Sequence, residues 1–113
     1  MLPRPHRISG DLFDKIMNEG KVVHSPFFLA RVFREKNGAP ARVAAVVSVK
    51  VGKISAVRHL VKRRIYEAVR PLVPKMLPGN AVILLAKPTV LKLKPLEMQP
   101  DIEAVFVKAG VLR

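Results

Sequence analysis

The sequence predicts a single α+β domain over residues 1–113, in which helices pack on a small β-sheet. A chain of 113 residues suits one domain, and its 50% hydrophobic content suffices for a modest core. Apolar residues recur with helical spacing in some segments and form short β-rich runs between them. Lysine and arginine number 21 against 8 acidic residues, which gives a net charge of +13. The chain is therefore expected to fold and to present a basic surface, unlike a disordered basic tail.

The first predicted element is a helix that Ser9 or Gly10 caps and that Gly20 ends. Four apolar residues share one side of this helix, and this apolar side is expected to pack on the sheet. They are Leu12, Phe13, Ile16 and Met17.

Two runs of β-branched and aromatic residues, 26–33 and 42–51, predict the next two strands. The turn-forming stretch 36–40 separates the runs, so the two strands are expected to pair as a β-hairpin. Phe27 and Phe28 are neighbours in the first run and should point to opposite faces. At least one of them is then a core residue, and the other is a candidate surface for a stacked base.

An amphipathic helix is predicted over residues 55–72, where Pro71 and Pro74 mark its end. One side is apolar and carries Val57, Leu60, Val61, Ile65, Ala68 and Leu72. The other side is mostly basic and carries Arg58, His59, Lys62, Arg63, Tyr66 and Arg70. Residues 42–70 contain eight lysines or arginines and a single acid, whereas an ordinary solvated helix mixes both signs. The uncompensated charge predicts binding to a polyanion, and nucleic acid is the leading candidate.

The remaining third of the chain predicts a strand and a helix. Residues 81–86 form a short buried strand after the turn at 78–80, and residues 89–93 are expected to be extended. Pro100 suits the first turn of a final helix that runs to about residue 108. The predicted order from the residues is therefore helix, strand, strand, helix, strand, helix.

Several other functions compete with RNA binding. The three histidines and scattered carboxylates show no catalytic or metal-ligand spacing, so we expect no catalytic residue and no metal site in the protein itself. The chain shows no export signal and no apolar stretch of membrane-spanning length, so a cytoplasmic protein with no membrane partner is expected. A structural RNA-binding protein of the ribosomal type, a protein-only nuclease and a membrane-surface peptide stay open as alternatives.

A family pattern runs through the strand and helix of residues 42–70. The residues that carry it are Ser48, Lys50, Gly52, Lys53, Arg58, Lys62, Arg63, Glu67, Ala68 and Arg70. Their order resembles the bacterial ribonuclease P protein subunit, in which a strand with a Ser-Val-Ser-Lys-Lys-like end precedes a glycine and a helix with an Arg-Asn-Arg signature. His6-Arg7-Ile8 and Asp11-Leu12-Phe13 resemble the opening of that family, and residues 81–88 resemble its later strand.

The chain also departs from this family at identifiable positions. The Arg-Asn-Arg signature reads Arg58-His59-Leu60, with one additional residue between Gly52 and Arg58. Leu60 cannot donate a hydrogen bond to RNA, and its place on the apolar side of the helix predicts that packing absorbs the change. Three further departures are Met17 where many members have an aromatic residue, Arg31 where some have tyrosine, and Tyr66 where arginine is frequent.

The resemblance implies a small mixed four-stranded β-sheet with packed helices in α-β-β-(β)-α-β-α order and a left-handed βαβ crossover. It implies the accessory subunit of the ribonucleoprotein that removes the 5′ leader of precursor tRNA, in which the RNA subunit is the endoribonuclease. The implied cofactor is Mg²⁺, held by the RNA and the substrate rather than by the protein. The implied partners are ribonuclease P RNA and precursor tRNA, with the protein a monomer in the complex.

Two sets of site residues follow from the resemblance. The set expected to bind the catalytic RNA is Lys53, Arg58, His59, Lys62, Arg63 and Arg70. The set expected to form a cleft for the single-stranded leader is Phe13, Met17, Phe28, Arg31, Ser48, Lys50 and Tyr66. Core packing is the competing interpretation for Phe13 and Met17, which lie one turn apart on the first helix.

Overall fold

The computed structural model describes residues 2–35 and 38–113. Its helices and strands are α1 (Gly10–Glu19), β1 (Lys21–His24), β2 (Phe28–Arg34), β3 (Arg42–Val46), α2 (Ser55–Val69), β4 (Asn80–Ala86) and α3 (Pro95–Ala109). Short 3₁₀-helices lie at Arg4–His6, Arg70–Lys75 and Pro88–Lys92. Part of the expected turn at 36–40 lies outside the described residues.

The strands form one mixed sheet in the order β1-β2-β4-β3. β2 is antiparallel to β1 and to β4, whereas β3 is parallel to β4. α1 packs on one face of the sheet, and α2 with α3 packs on the other. The predicted α+β fold with a four-stranded mixed sheet is confirmed. β3, α2 and β4 form the expected parallel βαβ crossover, whose left hand stays a prediction.

The expected hairpin between β2 and β3 is wrong, because β4 lies between these two strands. β4 takes the central position because its residues 80–84 are buried on both faces of the sheet. The hairpin partner of β2 is instead β1, with His24 opposite Leu29. β1 was not predicted, since its four residues are mostly exposed and too few to show a clear alternation.

Local signals explain where the helices begin and end. Ser9 caps α1 by accepting a hydrogen bond from the N–H of Leu12, and Gly20 ends the helix, both as predicted. The final helix begins at Pro95 rather than at Pro100, so the first of two suitable prolines occupies the first turn and the second lies inside the helix. The stretch expected to be extended at 89–93 is largely the 3₁₀-helix Pro88–Lys92.

The core has two parts, one on each face of the sheet. The larger part lies under α2 and α3 and includes the fully buried side chains of Phe28, Ile65 and Phe106. The smaller part lies under α1, where Ile16 packs near Ala81 and Ile83 of the central strand. α1 covers this second face only partly, because many apolar residues around the smaller core are half-exposed. This incomplete cover leaves an open surface between α1 and the sheet.

The N-terminal segment crosses the outer edge of β3. His6 Nδ1 lies 2.7 Å from the carbonyl oxygen of Ala41, and Arg42 Nη1 donates to the carbonyls of Pro5 and Arg7 at 3.0 and 3.1 Å. The His6 contact pairs a backbone carbonyl just before β3, and the Arg42 contacts hold the N-terminal segment beside this edge strand. Among the described helices, none combines the length and the apolar character needed to cross a membrane.

Candidate RNA interface

The six residues expected to bind the catalytic RNA lie on α2 and on the segments that flank it. Five of them are exposed and Arg58 is half-buried. We call this set the basic α2 surface: Lys53, Arg58, His59, Lys62, Arg63 and Arg70. The cations Lys62 and Arg63 form no ion pair with any residue of the described chain. Their charge is therefore available to a polyanion.

Two adjoining hollows shape the basic α2 surface. A shallow one of about 690 Å³ is lined by Ala56, His59, Leu60, Lys62, Arg63 and Tyr66. A second one of about 310 Å³ lies where α2 meets the end of β3, and it is lined by Ala45, Val46, Val47, Arg58, His59 and Lys62. His59 and Lys62 border both hollows, so the two lie side by side on the basic α2 surface. Cations at the rims of such hollows can reach phosphates of a folded RNA from several directions.

Arg58 organises the loop that enters α2. Its Nη1 atom donates to the carbonyl oxygens of Gly52 and Lys53 at 2.8 and 2.9 Å. α2 has no side-chain cap at its first turn, and the guanidinium holds the preceding loop against the helix. Arg58 therefore both contributes charge and fixes the position of Lys53. Leu60, expected on the apolar side, is instead 40% exposed in the larger hollow.

The second surface is the open side of the sheet beside α1, and we call it the α1 cleft. Phe13 and Met17 are half-buried and pack against the smaller core from α1. Arg31 lies on β2 and points to the same side, because alternate residues of a strand share a face and Phe33 packs in this core. The structure thus brings Phe13, Met17 and Arg31 to one face of the sheet.

The other residues expected in the cleft divide into two groups. Ser48 and Lys50 are exposed in the loop that follows β3, where the Lys50 N–H donates to Ser48 Oγ at 3.3 Å. Phe28 and Tyr66 do not belong to the cleft. The Phe28 side chain is fully buried under α2 and α3, because residue 28 has the opposite strand parity to Arg31. Tyr66 lies on α2, packs on the larger core and lines the hollow of the basic α2 surface.

Phe27 also differs from the expectation that it faces away from Phe28. It precedes β2 in a bend and packs against the same, larger core, because outside the strand the alternation of faces no longer applies. Phe27 therefore offers no aromatic surface to the α1 cleft.

Sequence reasoning missed one aromatic residue of the cleft face. Phe33 is half-buried there, and Lys15 Nζ of α1 lies 5.3 Å from the centre of its ring. This spacing is a cation–π contact that links α1 to β2. The signal was present, because Phe33 is two residues from Arg31 and so shares its face of the strand.

Asp101 on α3 belongs to neither surface. Its Oδ2 atom is buried and has no hydrogen-bond partner in the described part of the chain. Burial raises the pKa of Asp101 above its ordinary value of 3.8, because desolvation disfavours the carboxylate. Within residues 2–35 and 38–113, no group of three or more histidines and acids is arranged to hold a metal ion.

The α+β fold with a basic helix beside a half-open sheet defines a class of small RNA-binding-type domains, and comparisons assign the family. The family model described as Ribonuclease P matches residues 2–110. The ribonuclease P protein component of Symbiobacterium thermophilum is 29% identical over 99% of this chain and 97% of its own length. That of a Picosynechococcus species is 34% identical over 74% of this chain and 72% of its own length.

A solved structure of the Staphylococcus aureus RNase P protein has the same fold. It superposes with a TM-score of 0.84 at 24% identity, over 96% of this chain and 98% of the other. The chain belongs to the ribonuclease P protein family. Its function is that of a subunit of ribonuclease P, the endoribonuclease complex of tRNA 5′ processing, and its partner in that ribonucleoprotein is RNA.

Proposed function

We propose that this chain holds the catalytic RNA of ribonuclease P on the basic α2 surface and the 5′ leader of precursor tRNA in the α1 cleft. The observation that carries the proposal is the separation of two unlike surfaces. One is a strip of exposed cations on α2, and the other is a half-open apolar face with aromatic residues under α1. Folded RNA is bound mainly through phosphates, whereas single strands also need platforms for stacked bases.

The residues of the α1 cleft suit a single-stranded leader. Phe13 offers part of an aromatic ring, Met17 offers a polarizable apolar side chain, and Arg31 offers a cation on the same face of the sheet. Ser48 and Lys50 extend from the neighbouring loop and add a hydroxyl and an ammonium group for phosphates. The cleft would therefore bind leaders of many sequences, because stacking and phosphate contacts depend little on base identity.

The contribution of the protein to cleavage is electrostatic. Two RNA molecules that meet at an active site repel each other through their phosphates, and the net charge of +13 offsets part of this repulsion. Mg²⁺ held by the RNA subunit and the substrate supplies the hydrolytic chemistry in this proposal. The residues of this chain bring leader and catalytic RNA together and so lower the magnesium concentration that cleavage requires. One copy of the protein acts in each complex, in the cytoplasm.

The test is cleavage of precursor tRNA by a bacterial ribonuclease P RNA at low magnesium, with and without this protein, beside a protein-only sample. The proposal predicts stimulation that needs the RNA. The double variant Lys62→Glu and Arg63→Glu reverses two exposed charges of α2 and should abolish stimulation without unfolding the protein. Cleavage by the protein alone would contradict the proposal. Tight RNA binding without stimulation would indicate a structural RNA-binding protein.

A further inference from the structure

Arg31 is a half-buried cation for which the described residues provide no hydrogen-bond or ion-pair partner. Its Nε atom is buried and donates no hydrogen bond within the described residues, and no described acid pairs with its guanidinium. Arg64, also half-buried, has no bonded partner in the described chain, but none of its nitrogens is buried. Two further half-buried arginines, one on β3 and one on α2, show the contrast. Arg42 Nε donates to Glu35 Oε1 at 2.9 Å, and Arg58 donates to two loop carbonyls. Burying the Nε–H without an acceptor costs free energy, and a ligand that accepts a hydrogen bond from it would recover that cost.

The nearest neighbours of Arg31 within the sheet are all apolar. Its cross-strand neighbours are Val22 on β1 and Ile83 on β4. Along β2, Leu29 and Phe33 flank it on the same face. This set contains no hydrogen-bond acceptor on a side chain. An incoming ligand must therefore supply both the acceptors and the negative charge that this part of the sheet lacks.

We propose that Arg31 binds one phosphodiester group of the leader in the α1 cleft and makes this subsite a reader of the RNA backbone rather than of base identity. The proposal rests on the proposed function, because it takes the leader as the occupant of the cleft. A phosphate can accept two parallel N–H bonds from a guanidinium, and it also neutralises the charge. A guanine edge could accept the same two bonds, but it is neutral and would leave a half-buried cation uncompensated.

The test uses the holoenzyme, reconstituted with a ribonuclease P RNA, and precursor tRNAs in which one leader phosphate at a time is a neutral methylphosphonate. In the parent protein, one linkage should weaken substrate binding about tenfold when it is neutralised. In Arg31→Gln, the same linkage should have no further effect, because its partner is already lost. Arg31→Gln should also lower the salt dependence of binding by about 0.7 units of log slope.

Arg34→Gln is the matched control, since Arg34 lies on the same strand, is exposed and has the opposite parity to Arg31. It removes the same charge but should leave the sensitive linkage in place. Arg31→Met adds a readout that a structural role would not produce. Replacing an unpaired half-buried cation by an apolar side chain of similar length should raise the midpoint of thermal unfolding while leader binding weakens.

The outcomes separate this inference from the proposed function. If the parent protein does not stimulate cleavage, the proposed function fails. If the protein stimulates cleavage but no neutralised linkage loses its effect in Arg31→Gln, the phosphate assignment at Arg31 is wrong. The assignment is also wrong if Arg31→Gln weakens binding only of substrates with guanine at one leader position. Lower stability of Arg31→Met with unchanged leader binding would assign Arg31 to the structure and overturn the proposal.

Discussion

The backbone N–H of Ala45 donates a hydrogen bond to the phenolic oxygen of Tyr66 at 3.1 Å. This contact ties α2 to the outer edge of β3, which pairs with β4 on its other side. The N-terminal segment covers the same edge further along, where His6 meets the carbonyl of Ala41. Two side chains therefore pair backbone groups at or just before this edge, and the Tyr66 bond fixes the basic α2 surface relative to the sheet.

Tyr66→Phe should destabilise the protein by about 1 kcal/mol, because it leaves the partly buried N–H of Ala45 without its acceptor. Urea unfolding followed by circular dichroism measures this change through a lower midpoint at constant slope. The ring of Tyr66 packs on the larger core in both proteins, so the fold should be kept. An unchanged midpoint would show that water replaces the hydroxyl without loss.

The double variant Lys62→Ala and Arg63→Ala should weaken binding to the catalytic RNA and reduce the log–log salt slope by about 1.5 units, since each side chain releases about one counterion. Both residues are exposed on α2, so unfolding should be nearly unaffected. Binding measured by filter retention across a range of salt concentrations gives the slope. A weaker affinity with an unchanged slope would mean that these residues do not contact phosphates.

Phe13→Ala should reduce binding of precursor tRNA with a long leader about tenfold and leave a substrate with a single-nucleotide leader unaffected, because only the long leader can stack on the ring. Comparing the two substrates on one protein cancels any loss of stability. Leu12→Ala is the matched control, since Leu12 packs against the same smaller core from the same helix. Equal losses on both leaders would make Phe13 a packing residue alone.

Asp101→Asn should stabilise the protein at neutral pH by less than about 1 kcal/mol, because the carboxyl group is only partly buried and solvent screens it. A pKa raised in the folded state means that folding takes up a proton between pH 3.8 and the folded pKa, so parent stability falls as the pH rises through that window. Thermal unfolding of both proteins at several pH values tests this. The advantage of the variant should vanish below pH 3.8, and an advantage independent of pH would contradict the desolvation account.

The basic helix and the sheet-forming runs could be predicted because each depends on local periodicity. The side chains of α2 divide between core and solvent largely as the sequence indicates. The exceptions are Leu60, which is exposed, and Tyr66, which packs on the larger core. The partners of the strands could not be predicted, because the neighbours of β2 and β3 are set by β4, which comes later in the chain. Short β1 carries too few residues to show a period.

The resemblance predicted which residues form the cleft, but it did not separate the residues that lie on opposite faces of β2. Arg31 and Phe28 were both expected in the cleft, yet they are three residues apart on one strand and must face opposite sides. Assigning the cleft to one of the two faces required the position of α1. The smaller core around Ile16 defines that position. That the described residues give Arg31 Nε no acceptor could be seen only once its neighbours were placed.

Site-specific photocrosslinking in the reconstituted holoenzyme tests directly which RNA each surface binds. The chain has no cysteine, so Met17→Cys and Lys62→Cys each give one attachment point for a photoreactive label. We expect the label at position 17 to crosslink to leader nucleotides of precursor tRNA and the label at position 62 to crosslink to the catalytic RNA. Crosslinks from position 17 to the catalytic RNA, or from position 62 to the leader, would contradict the assignment of the two surfaces.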